Sequence, residues 1–86
     1  MPTVSEFYGI TICVLWEDQA PPHFRANYDG QEAIIDIEAL AMLRGEFPAR
    51  GMEMVLEWAA EHRAELLEAW EACRRGEPPQ RISPLR

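Results

Sequence analysis

The chain has 86 residues, room for one small domain with one core. Its eight basic and fifteen acidic residues give a net charge of -7, which disfavours the broad electrostatic attraction behind most non-specific nucleic-acid binding. An apolar fraction of 48% argues against global disorder. All eight positive charges are arginine, which holds its charge and binds carboxylates bidentately. The segment Met1-Pro2-Thr3-Val4-Ser5-Glu6 has no basic run and no long apolar stretch. No signal peptide and no membrane span are therefore expected, and a cytoplasmic location is.

Residues 1–8 read as an N-terminal arm, 9–47 as a sheet, 48–75 as a helix and 76–86 as an extended tail, all within a single domain. Residues 9–16 alternate as a strand. Ile10, Ile12, Val14 and Trp16 point one way, and Thr11, Cys13 and Leu15 the other. Both sets are largely apolar, which predicts a central strand covered on more than one side. A turn over residues 17–22 ends in Pro21-Pro22, where two fixed φ angles and two missing donors make a stiff elbow. The elbow leads into a second strand over 24–28. Asp29-Gly30 is a strong two-residue hairpin signal, because a type I′ turn needs positive φ at both central positions. The return strand covers 31–38, and a short fourth strand is expected near 41–43.

That turn fixes a register. Tyr28 meets Gln31, Ala26 meets Ala33 and Phe24 meets Ile35 on one mostly apolar face. On the other face Asn27 meets Glu32, Arg25 meets Ile34 and His23 meets Asp36. The second face is thus expected to be a small exposed polar surface.

Pro48 can sit in the first turn of a helix, and Gly76 followed by Pro78-Pro79 ends it. Between them Met52, Val55, Leu56, Ala59, Leu66, Leu67, Trp70 and Cys73 form one apolar stripe, and Glu53, Glu57, Glu61, Glu68 and Glu71 an acidic ridge. Ile82 and Leu85 are expected to tie the tail to the body. The expected fold class is α+β, an antiparallel sheet of three to four strands packed on one long C-terminal helix.

Several residues carry candidate chemistry. His23 is a candidate general base with Asp36 as its orienting carboxylate, set against a surface or capping histidine beside an acid. Arg25 fits either an anion ligand or a cross-strand ion pair. Arg63 lies within the apolar stripe, and with His62 it is a candidate site. The structural alternative ties it to Asp36 or Glu38. Trp58 with His62 marks a helix flank that is either an exposed contact patch or packed under the arm or tail. Cys13 and Cys73 lie far apart and read as reduced thiols, with a disulfide left open. Two cysteines and two histidines are too dispersed for a zinc site. No motif points to a cofactor.

Met1 to Ile10, Pro21-Pro22-His23-Phe24, Ile35-Asp36-Ile37, Glu57-Trp58-Ala59, His62-Arg63-Ala64-Glu65-Leu66 and Trp70 together resemble the short bacterial proteins of domain-of-unknown-function family 4160. Members often read Asp-His-x-Pro-Pro-His-Phe-His. Here Gln19 and Arg25 stand where the flanking histidines would be, and His23 alone is kept. This departure argues against a histidine metal cluster. The resemblance implies pairing with another small protein encoded nearby, in a layout like a toxin–antitoxin module. The expected role is a cytosolic component that binds that partner, or a second copy of itself, through His23, Arg25, Asp36, Trp58 and His62. A metal-independent RNase-like toxin using His23 with Arg25 or Arg63 is one alternative. A DNA-binding regulator using the arginines of the tail is another.

Overall fold

The structure, a computed structural model, describes residues 3–14 and 21–86. The sequence expectations for Leu15, Trp16 and residues 17–20, including the position of Gln19, lie outside the described residues. Five strands follow in chain order: β1 (Thr3–Phe7), β2 (Ile10–Cys13), β3 (His23–Tyr28), β4 (Gln31–Asp36) and β5 (Met42–Gly45). Two helices complete the chain, α1 (Ala49–Glu61) and α2 (Arg63–Arg74). The strands form one antiparallel sheet in sequential order from β1 to β5.

The fold class is α+β as expected, but the described residues form five strands rather than three or four. The segment expected to be an arm is a sheet strand. Tyr8 and Gly9 have φ of 51° and 79°, so a two-residue turn joins β1 to β2 and pairs Phe7 with Ile10. Tyrosine at its first position hides that turn in the sequence. A register shift between Thr3 and Ser5 also breaks the burial alternation, leaving Val4 and Ser5 both buried.

The β3–β4 hairpin follows the expected register at all six pairs, from Tyr28–Gln31 to His23–Asp36. Asp29 and Gly30 both have positive φ, 48° and 82°. The face with Phe24 and Ala26 is apolar and buried. Ile12, Ala26 and Ala33 line up across three strands there, beside Phe24 and Ile35. Trp58 of α1 covers this face, its ring 5.4 Å from Phe7 and 6.1 Å from Phe24.

The single long helix expected over 48–75 is two helices, broken at His62 (φ −121°, ψ 24°). The core residues of α1 are Val55, Trp58 and Ala59, and those of α2 are Leu66, Ala69 and Trp70. α2 runs across one end of the sheet. Arg63 Nε donates to the carbonyl of Ile37 (3.3 Å), just beyond β4. Trp70 lies on His23 at the start of β3, and Cys73 Sγ donates to the carbonyl of Val14 (3.6 Å), just beyond β2.

Gly76 (φ +80°) ends α2. Its N–H donates to Cys73 O and the N–H of Glu77 to Ala72 O, the two bonds of a Schellman cap. The tail then turns back, and Ile82 N donates to Val4 O at 2.8 Å. Ile82 is buried in the core as expected, and Leu85 packs against it half-buried.

Candidate functional site

The stiff elbow is built into the sheet. Pro22 has no N–H, but its carbonyl accepts from Ile37 N (3.0 Å), which holds the elbow to the end of β4. His23 follows as the first residue of β3. Its Nδ1 lies 3.0 Å from the carbonyl of Pro21, and because a carbonyl only accepts, Nδ1 is the donor. The imidazole centroid is 4.8 Å from that of Trp70. His23 is 5% exposed, so the exposed polar face expected around it does not exist at this position. The reason is α2, which the helix break carries across the end of the sheet.

Asp36 stands opposite His23 in register, but its carboxylate is used locally. Oδ1 accepts from the N–H of Glu38 (2.8 Å) and of Ala39 (2.9 Å), closing the turn between β4 and β5. The backbone of Asp36 adds two more bonds to this turn, from Leu40 N and to Ala41 O. Asp36 therefore shapes the turn that launches β5.

Arg25 is half-buried, and its guanidinium lies 3.5 Å from Glu32, the diagonal neighbour across the hairpin. This is the cross-strand ion pair of the structural alternative, worth about 0.2–1 kcal/mol. Arg63 does not lie buried within the apolar stripe and is not tied to a carboxylate in the way expected. It begins α2 as an exposed residue and bonds the carbonyl between Asp36 and Glu38. His23, Asp36 and Arg63 thus gather at one end of the sheet, each already engaged there.

Trp58 is fully buried, so of the two alternatives for this flank the packed one holds and Trp58 is not an exposed contact residue. Its indole N–H donates to the carbonyl of Ser83 (2.7 Å), so the tail covers it. His62 packs its ring 5.4 Å from Trp58 and brings Nδ1 within 2.5 Å of Glu65 Oε1. Cys13 and Cys73 are both thiols. Arg74 pairs with Glu71 at 2.9 Å and Arg75 with Glu77 at 3.1 Å, so two of the four C-terminal arginines are already neutralised.

Two surface features escaped the sequence reading. A cleft of about 220 Å³ lies between α2 and the tail, bordered by Glu65, Glu68, Arg75, Glu77 and Arg81. The other is β5, where every residue is exposed, including Met42 and Leu43. A fourth strand was expected there, but only its register against β4 shows which strand forms the edge.

Among the described residues, no group of three or more metal-ligating side chains is placed to hold an ion. No described helix is long and apolar enough to cross a membrane.

An antiparallel five-stranded meander, with one helix on a face and one across an end, defines a small α+β domain. The model of one family, Domain of unknown function (DUF4160), matches residues 9–71, and the chain belongs to that family. No curated protein and no solved structure matches it.

Proposed function

We propose that this chain is a cytoplasmic protein-binding component of a two-protein module, laid out like a toxin–antitoxin pair, whose partner is basic. The observation that carries this reading is the charge left on the surface. Glu53, Glu57 and Glu61 lie one helical turn apart along α1, all exposed. None of the three pairs with a cation among the described residues. Like charges at this spacing cost a few tenths of a kcal/mol per pair in an isolated helix. A basic partner relieves that repulsion and is steered by it. The net charge of -7 acts in the same direction.

The alternatives have less support. A catalytic His23 needs access to substrate, and the ring is buried against Trp70 with Asp36 committed to a turn. A DNA-binding tail needs unpaired arginines, and Arg74 and Arg75 pair with glutamates.

Co-expression with the product of the adjacent gene, followed by size exclusion, tests the proposal. A complex that weakens as salt rises is the expected result. Failure to co-elute at low salt would sink it.

A further inference from the structure

The two edges of the sheet invite different neighbours. At β1 the chain supplies its own cover, because the tail bonds Val4 through the N–H of Ile82. At β5 no described residue bonds the outer side of the strand, and Met42 and Leu43 are 47% and 44% exposed. An unpaired strand edge is a template for an added strand, with backbone bonds giving affinity and side-chain contacts giving selectivity.

We infer that the outer edge of β5 is a docking site for an extended, basic segment of the partner protein, which joins the sheet as a sixth strand. This inference rests on the partner-binding reading above.

The local side chains favour a short, specific segment. Ile34 pairs with Arg44 and Ile35 with Met42, so Leu43 is an extra residue in β5. The bulge leaves Met42 and Leu43 as a neighbouring apolar pair, and it shortens the regular edge that an indiscriminate strand would need.

Charge selects the occupant. Exposed Glu38 and Glu46 lie on the segments flanking β5, while Arg44 is the one basic residue on the strand. A segment alternating basic and apolar residues complements this edge. A second copy of the chain brings another -7 and sets like glutamates together. The tail offers an internal precedent. There Ile82, which follows Arg81, bonds Val4 of β1 through its N–H.

The probe is a short fluorescein-labelled peptide of alternating arginine and valine. Its fully N-methylated analogue keeps every side chain and charge but donates no backbone bonds. The wild-type protein is expected to bind the first at least tenfold more tightly, and the amides of residues 42–45 gain protection from hydrogen exchange. Leu43→Pro, which is charge-neutral, should weaken binding at least tenfold, whereas Glu6→Gln, exposed on β1 at the other edge, should change it less than twofold. Equal binding of the two peptides, or protection confined to α1, would overturn the inference. Protection of residues 42–45 that grows with protein concentration in the absence of peptide would overturn it in favour of a second copy. Co-expression separates this inference from the reading beneath it. A complex with the adjacent gene's product that survives Leu43→Pro removes the β5 site and leaves partner binding intact. Absence of any wild-type complex removes the partner reading, while the peptide and exchange results still judge the edge.

Discussion

On the β1 side of the sheet the C-terminal tail is tied to the body at two residues. The tail bonds Val4, Ile82 enters the core, and Ser83 accepts the indole N–H of Trp58. At the β5 edge the strand pairs, among the described residues, with β4 alone, and all four of its residues are exposed. The difference is one of chain economy. A C-terminal segment can fold back over one edge of a five-stranded meander, and the opposite edge then stays open unless another chain arrives. Stability is therefore concentrated where the tail, β1 and α1 meet. The β5 edge is held by its pairing, by the Asp36 turn that starts it and by Gly45 that ends it.

The largest expected effect breaks the covered side. Trp58→Ala removes the ring between Phe7 and Phe24 and the donor to Ser83, and should lower unfolding free energy by about 3–5 kcal/mol. That is a large share of the stability of a domain this size, so a molten or unfolded variant is within expectation. Chemical denaturation checks it, and a loss below about 1 kcal/mol would show that the indole is not the keystone. Ile82→Ala should cost about 2–4 kcal/mol by the same mechanism. It should also loosen the tail, so that the backbone N–H at position 82, which donates to Val4, exchanges faster.

Gly45 tests the open side at its one rigid point. Its φ is +103°, and a Cβ there would lie 2.1 Å from the carbonyl oxygen of Glu32. Gly45→Ala combines backbone strain with a clash against backbone, and a loss of about 1–3 kcal/mol is expected from thermal or denaturant melts. An unchanged midpoint would mean that β5 shifts at no cost, and that the edge is less ordered than its register implies.

The legible parts of the fold are those where local chemistry dictates geometry. Asp29-Gly30 satisfies the demand for two positive φ values, and every pair of the β3–β4 hairpin follows from it. Gly76 and the prolines after it stop α2 for equally local reasons. The β1–β2 turn makes the same demand on φ, yet Tyr8 occupies a position usually filled by asparagine or aspartate. The helix break at His62 carries neither glycine nor proline, so no local signal marks it. Trp58 was legible in principle. Val55, Trp58 and Ala59 have core spacing, and the same spacing recurs in Leu66, Ala69 and Trp70. A stripe drawn instead through Met52 and Leu56 displaces Trp58 to the flank. The candidate site misled for a different reason. Register correctly set His23 against Asp36, but it carries no information on what a later helix lays over them.

The smallest expected effect falls on the open edge. Met42→Lys and Leu43→Lys replace half-exposed side chains, and the lysine stem can retain much of the aliphatic contact along the sheet. Surface changes away from caps, cavities and buried polar groups usually stay within about 0.5 kcal/mol, and that is the expectation for each. Lysine on an edge strand is also a common device against unwanted pairing. Each variant should therefore melt like the wild type while resisting association at high concentration. A loss above about 1 kcal/mol in urea unfolding would place these side chains among the packed ones, and the contrast between the two edges would vanish.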